Sequence, residues 1–206
     1  MKKIYGVFLT AVFFLISGPL HSVHAAGMGM NASGVKGTVL VVRDGAESIL
    51  HDGDGLQSGD RIKTDGDSQL DIIKPGGWGY RLLQSSDCVI HLENEKTEIE
   101  MFQGNVIFKV IPTQGRNLTV KTPVVVAAVR GTQFWGQVTP AAESFNSIFA
   151  VREGTVEVTV LASGEKQTLS AGQAIEVRGA EDSSLTRAAK QAELDAIAQI
   201  EAINLE

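Results

Sequence analysis

Residues 118–136 constrain the fold of this chain more than any other stretch. Their apolar run, VVVAAV, lies between Pro123 and Gly131 and is rich in β-branched valine. Branched side chains fit the pleated, buried surface of a sheet better than a helix. Pro123 has no N–H to donate to a ladder, so one strand must end there and another must begin at Val124. The segment predicts a central pair of strands.

A charged residue, Arg130, directly follows this apolar run. A guanidinium is always charged, and its five N–H donors need partners. Gly131 predicts a bulge or a close approach of another backbone, which would aim Arg130 and the following Thr132. We expect Arg130 to form an internal ion pair that fixes the strand register, with a ligand-binding arginine as the alternative.

Three aromatic residues are candidates for contact with a partner. Phe134 and Trp135 are adjacent, so a regular strand sends them to opposite faces. One should lie in the core, and the other is then available to a protein or sugar partner. Trp78 lies in a glycine-lined loop, where its ring either covers the protein's own core or is available to stack on a sugar.

Residues 35–178 form a series of short β-like runs separated by Gly, Asp and Asn, with no helical period among them. This pattern predicts an all-β domain. Runs that open at Gly37, Gly104 and Gly154 share the order Gly, polar, Val, any residue, apolar, so one β-unit recurs along the domain. A stacked β-roll or solenoid explains the repeat, and a two-sheet sandwich would also accommodate the strands.

The N-terminus has the parts of a secretory signal peptide. Lys2 and Lys3 precede an apolar segment, and small side chains at Val23 and Ala25 fit cleavage after Ala25. The apolar segment is shorter than the roughly twenty residues that span a membrane. We expect residues 1–25 to be removed, leaving an exported chain without a membrane span. Residues 26–34 predict a flexible leader.

Charge and cysteine content exclude several classes of partner. Without Lys2 and Lys3 the chain has 16 basic and 24 acidic residues, a formal charge of −8. Nucleic acid and anionic membrane surfaces require clustered Lys and Arg, so neither is an expected partner. The lone cysteine, Cys88, excludes an internal disulfide.

Catalytic, cofactor and metal sites have no support in the sequence. Cys88 and His91 are three residues apart, which on a strand places them on opposite faces, so we expect a packed cysteine and no dyad. His51 and His91 are too few for a histidine-based metal site. The Asp-rich turn at Asp52 fails the EF-hand spacing, because Lys63 stands where a bidentate Glu is needed. We expect no enzyme activity and no cofactor.

The tail, residues 184–205, is rich in helix formers, with Ser183 or Ser184 placed as the cap. An Ala-rich apolar stripe follows helical spacing. Its members are Leu185, Ala189, Ala192, Ala196, Ile200 and Ile203, with Ile197 beside them. We expect a C-terminal α-helix that packs on the β domain, with a partner-binding helix as the alternative.

Several motifs in this order closely resemble the FecR domain family. They are LQSGDRIKT (residues 56–64), QGNVIFKV (103–110), TP (122–123), AVRGT (128–132) with Phe134, VREGTV (151–156) and LSAGQ (169–173). FecR domains form the periplasmic part of iron-transport regulators and of many standalone envelope proteins. The resemblance covers about residues 35–178, favours the stacked, solenoid-like arrangement and implies a periplasmic location.

The resemblance implies a non-catalytic module that contacts another envelope protein and relays a signal. The regulators of this family begin with a cytoplasmic anti-sigma segment, whereas only three residues precede the apolar segment here. Direct control of a sigma factor is therefore not expected. The alternative function is an envelope scaffold or glycan-binding module, in which Trp78 or Trp135 stacks on sugar.

Overall fold

The computed structural model describes residues 29–74, 77–93, 96–111, 117–181, 183–203 and 205. The predicted signal peptide, residues 1–25 with its cleavage site after Ala25, lies outside these ranges.

The described chain is mostly β-strand, with one α-helix near the C-terminus. The strands are β1 (Met30–Lys36), β2 (Val39–Arg43), β3 (Ala46–Ile49), β4 (Gly55–Leu56), β5 (Arg61–Thr64), β6 (Gln69–Lys74), β7 (Trp78–Leu82), β8 (Asp87–Glu93), β9 (Lys96–Val110), β10 (Asn117–Lys121), β11 (Val125–Pro140), β12 (Phe145–Val160), β13 (Lys166–Ser170), β14 (Gln173–Arg178) and β15 (Ser183–Ala188). The helix is α1 (Gln191–Ala198), and 3-10 turns cover Gly179–Glu181 and Gln199–Ala202.

The strands form one continuous sheet that folds over into two layers around a shared core. Layer A consists of β4, β1, β6, β7, the second halves of β9 and β11, the first half of β12, β14 and β15. Layer B consists of β3, β2, β5, β8, the first half of β9, β10, the first half of β11, the second half of β12 and β13. The strands β9, β11 and β12 therefore belong to both layers.

Each shared strand changes layer at a glycine with positive φ. These are Gly104 (98°), Gly131 (61°) and Gly154 (77°). The register of β11 against β12 shifts between Arg130 and Gln133, which is a β-bulge. A Cβ placed on Gly154 would lie 2.4 Å from the carbonyl oxygen of Gly131, so the two bends touch. The predicted bulge and close backbone approach at Gly131 are confirmed.

The repeat seen in the sequence marks the places where the chain passes between layers. Gly37, with φ of 69°, joins β1 of layer A to β2 of layer B, and Gly104 and Gly154 lie at two of the bends. The valine two residues after each of these glycines is buried. The shared pattern therefore combines a residue that permits the turn with one that returns the chain to the core.

The core between the layers contains a row of aromatic rings that crosses layer A. Neighbouring ring centroids are 4.6 to 6.4 Å apart. The row runs Trp78, Tyr80, Phe108, Phe134 and Phe149. Such pairs contribute about 0.5–1.5 kcal/mol each beyond the burial of their area, so the row is a main source of the core's stability.

The outer face of layer A is covered by the C-terminal segment, residues 191–203 and Leu205. The buried side chains of the segment and of the sheet form a second, smaller core. Its buried members are Ile197, Ile200, Ile203 and Leu205 from the segment, and Ile107, Trp135, Ala150 and Ala174 from the sheet. An eight-residue helix is not stable in isolation, so α1 forms because it is docked. The predicted packing of the tail on the β domain is confirmed.

The prediction of an all-β fold with a C-terminal helix is confirmed. The two layers exchange bent strands. Among the described strands only β9 and β10 pair in parallel, and the other pairings are antiparallel. The layers therefore arise from bending of long strands and not from parallel stacking of repeats.

The expected leader, residues 26–34, is wrong from Met30 onward, where β1 begins. Met30 and Ala32 are almost fully buried, and β1 pairs with both β4 and β6. Small and sulfur-containing residues gave no apolar period, yet they fit a tightly packed strand. The described β-fold therefore already includes Met30, five residues before the expected start at Val35.

The expected helix over residues 184–205 is also wrong in its first part. Ser183–Ala188 is the edge strand β15, paired with β14, and Leu185 is exposed to solvent instead of lying on the apolar face. The helix begins at Gln191, where the Glu193 side chain accepts a hydrogen bond from the N–H of Lys190, the N-cap residue. Pairing with the free edge of β14 outweighs the helical propensity of this stretch.

We expect Gly154→Ala to lower the free energy of unfolding more than Gly45→Ala. Both glycines have positive φ, which costs a non-glycine residue about 1–2 kcal/mol. Only Gly154 has neighbours in the way, since nothing lies within 4 Å of a Cβ on Gly45. The added overpacking should cost Gly154→Ala about 1–3 kcal/mol more, measured by urea denaturation. Equal losses in the two variants would contradict the contact between bends.

We expect Ile200→Ala to destabilise the fold by about 2–5 kcal/mol, because its side chain is fully buried against layer A. The matched control is Leu185→Ala on β15, whose side chain is 60% exposed. That change should stay within about 0.5 kcal/mol. Thermal or urea unfolding of both variants measures the difference, and a small loss for Ile200→Ala would show that the segment is not part of the folded unit.

Candidate functional site

Outward-facing side chains of layer B line an open groove with a volume of about 1070 Å³. The central row of the groove crosses six neighbouring strands, with the residues directly opposite each other in register. From β8 to β13 this row is His91, Glu98, Thr119, Ala128, Glu157 and Thr168. We call this surface the layer B groove.

Strand alternation places these side chains in the groove. On β9 the buried Ile99 lies between Glu98 and Glu100, and on β10 the buried Val120 lies between Thr119 and Lys121. Successive side chains of a strand point to opposite faces, so the apolar set fills the core and the polar set faces outward. The same residues that build the core therefore position the groove.

One ion pair lies along the side of the groove. The Lys121 Nζ is 3.0 Å from a carboxylate oxygen of Glu100, and the His91 Nε2 is 3.6 Å from the other oxygen. Burial by itself would raise the pKa of Glu100, but the Lys121 hydrogen bond and charge, with His91, lower that pKa below its usual value. The pKa of Lys121 is raised, chiefly by the same hydrogen bond. Both groups are therefore charged at neutral pH.

Arg130 lies in the groove, exposed to solvent and opposite Thr155. The expected internal ion pair is wrong, because no carboxylate in the described part of the chain forms a salt bridge with its guanidinium. The outward direction follows from alternation, since the flanking Val129 is buried. The alternative, an arginine available to a ligand, stays a prediction.

The two residues after Arg130 belong to the bend of β11. Gly131 provides the positive φ, and Thr132 is buried, with its hydroxyl lacking a hydrogen-bond partner among the described atoms. Neither residue presents a side chain to the groove. Their role in the structure is to turn the strand, and this turn fixes the position of Arg130.

The three aromatic candidates are all buried. Phe134 is fully buried in the core and stacks on Phe108 at 4.6 Å. Trp135 points to the opposite face, as predicted, but it is only 8% exposed because the C-terminal segment covers it. Trp78 is 3% exposed and stacks on Tyr80. Sugar stacking needs an open ring face, so the expectation that Trp78 or Trp135 binds glycan is wrong.

Cys88 is fully buried, as expected for a packed cysteine, and burial strongly raises the pKa of its thiol. His91 points to the opposite face of β8, into the groove. The residues that the structure describes contain no group of three His, Cys, Asp or Glu side chains placed to hold a metal ion. No helix within the described ranges has the length and apolar character needed to cross a membrane.

Sequence reasoning found Arg130 but missed most of the groove. Glu98, Glu100, Thr119 and Lys121 were read as parts of strands and not as a surface. The alternation of polar and apolar residues along β9 and β10 would have identified the outward set. It would not have shown that this set adjoins Arg130, because that depends on which strands pair.

The family model described as FecR protein matches residues 60–157. This region includes the bends at Gly104, Gly131 and Gly154 and the groove residues from His91 to Glu157. Residues 60–157 carry the match to the FecR domain family. The resemblance read from its motifs is therefore confirmed, and no curated protein matches the chain.

The fold of this FecR domain is also similar to solved structures. A crystal structure of a proposed anti-sigma factor from Parabacteroides distasonis at 1.65 Å has a TM-score of 0.57 and 20% sequence identity, over 68% of this chain and 64% of that one. A second structure of that description, at 2.50 Å, has a TM-score of 0.47 with the same identity and coverage. The match thus spans somewhat less than two thirds of those chains, and at this identity it establishes the likeness of fold alone.

We expect Lys121→Met to raise the pKa of Glu100 in the FecR domain, because the burial of Glu100 is then no longer offset by the lysine. The folded pKa of Glu100 lies below its unfolded value. The pair therefore stabilises the fold above the unfolded pKa, and this contribution is lost as the pH falls through the folded pKa. Carboxyl NMR titration measures the change.

The matched control for this titration is Lys166→Met. Lys166 forms a longer pair, 3.8 Å, with the more exposed Glu157. That change should leave the pKa of Glu100 where it is. An equal rise in both variants would mean that the net charge of the protein, and not the contact with Lys121, sets the pKa of Glu100.

Proposed function

We propose that this chain is a non-catalytic FecR-domain module of the cell envelope that binds a protein partner through the layer B groove and passes on a signal. The observation that carries the proposal is the state of Arg130. It is a charged, exposed side chain in a concave surface, without a salt bridge to any described carboxylate, and it directly precedes a bend that fixes its position.

Arginine in such a setting suits recognition of a protein partner. Its planar group binds carboxylates in a fixed geometry, and arginine is enriched among residues that contribute most to binding energy. The other polar groove residues are carboxylates, a histidine, two lysines and threonines. These groups favour a polar, reversible contact of the kind expected in signalling.

The other parts of the proposal extend from the FecR domain. We place the protein in the periplasm, exported by residues 1–25 and cleaved after Ala25. We assign no catalytic role to the groove, because its polar groups include no nucleophile paired with a base. The solved structure of a proposed anti-sigma factor shares this fold, and regulation of that kind is consistent with a signal-relaying module.

The test is photo-crosslinking in cells from the groove. A photoreactive residue placed at Thr119 or Thr155 should capture a specific protein, while the same residue at Ser183 on layer A should not. In the Arg130→Glu background the yield should fall at least about fivefold, as for a principal binding residue. Lys36→Glu, the same charge reversal on an exposed lysine of β1, is the matched control and should change nothing.

Two results would contradict the proposal. One is a partner captured from Ser183 but from neither groove position, which would move the contact to layer A. The other is a groove crosslink of equal yield in the Arg130→Glu and Lys36→Glu backgrounds, which would remove Arg130 from the contact.

A further inference from the structure

The layer B groove has the dimensions of a single α-helix. Its central row crosses from β8 to β13, and strands lie about 4.8 Å apart, so the row is roughly 24 Å long. Across it, the lining residues Lys96 and Glu100 are four residues apart on β9, which is about 13 Å. A helix with its side chains is about 10–12 Å wide. The groove therefore accommodates a helix of about 16 residues lying across the strands.

Backbone hydrogen bonding favours a helix over an extended segment. The groove floor consists of the first halves of β9 and β11, strand β10 and the second half of β12. Each of these is paired on both sides, so their peptide groups are already bonded to neighbours. An extended segment on this face would find only side chains for its own N–H and C=O groups. A helix satisfies its backbone internally and needs only side-chain contacts.

The centre of the groove leaves room for a close approach. Ala128, the smallest side chain of the central row, lies between Thr119 and Glu157 and is exposed. The opposite face of the domain shows how a helix sits on this roll. There, the C-terminal segment packs in one cluster with Ala150 and Ala174, so small residues on the strands also allow that segment to approach.

The charges of the central row specify a partner with basic residues. Glu98 and Glu157 lie on this row three strands apart, which is about 14 Å. No salt bridge engages Glu98 in the described part of the chain, and the Lys166 contact of Glu157 is long, at 3.8 Å. Glu100, in contrast, is matched by Lys121. Along a helix, 14 Å corresponds to about 10 residues, close to three turns.

We propose that the layer B groove binds an α-helix of its protein partner, and that this helix carries Lys or Arg residues about 10 or 11 positions apart facing Glu98 and Glu157. An acidic residue beside this basic stripe meets Arg130. The inference rests on the proposed function, and it adds the conformation and charge pattern of the partner segment.

Mapping the crosslinked residues of the partner tests the conformation. Photoreactive residues at Thr119 and Thr168 lie three strands apart on the central row. For a helix, the partner residues that they capture should be about 10 positions apart in one segment, whereas an extended chain places them about 4 apart. A separation near 4, or capture of two unrelated segments, overturns the helix while leaving the groove contact intact. No groove crosslink at all would instead defeat the proposed function.

A synthetic peptide of the captured segment then tests the helix and its charges in solution. A proline in the middle of the peptide should weaken binding at least about tenfold, because it breaks a helix. Glu98→Gln and Glu157→Gln should each weaken binding by about twofold to fivefold, and Glu47→Gln on β3 should not. Ala128→Trp should abolish binding, and Ala46→Trp on β3 is its control. Unchanged affinity with the proline peptide, or with both glutamine variants, overturns the proposal.

Discussion

The contact between the bends of β11 and β12 is the constraint on which the rest of this structure depends. At Gly154 a side chain would meet the carbonyl oxygen of Gly131. The two strands can therefore cross between the layers side by side only because residue 154 has no side chain. Because the strands stay paired through the crossing, the layers remain joined, and the aromatic row is enclosed between them. The same bend ends the outward-facing run of β11 at Arg130, and it thereby sets one end of the groove.

The two outer faces of the roll differ in chemistry, and this difference determines which face is free. Layer A presents Ile107, Trp135 and small alanines, and exposed apolar area of this kind costs about 25 cal/mol per Å². The C-terminal segment covers this face. A salt bridge of 2.7 Å between Arg152 and Glu201 and a hydrogen bond of 2.9 Å from Arg81 to the carbonyl oxygen of Gln199 also hold the segment in place. Layer B presents carboxylates, lysine and threonines, which water solvates without cost. It therefore stays open to solvent.

Two of the wrong predictions from sequence have a neighbour distant in the chain as their cause. Trp135 was one of the candidates for contact with a partner, but the segment that buries it follows some sixty residues later. Residues 184–188 have helical propensity, yet the unpaired edge of β14 makes them a strand. Arg130 was expected to need an internal acid because an apolar run precedes it, but alternation turns its side chain outward to water. In the first two cases tertiary context decided the outcome, whereas for Arg130 the local alternation of the strand did.

The sequence by itself determined the all-β class, the FecR motifs, the strand end at Pro123, the bulge at Gly131 and the burial of Cys88. These follow from short-range chemistry: a missing N–H, a missing Cβ, and the period of a strand. The groove was decided only by tertiary structure. Glu98, Thr119, Ala128 and Glu157 lie on different strands, and no local sequence pattern indicates that they share one row. Their register is set by the folding of the sheet over its core, which buries the apolar set of every strand at once.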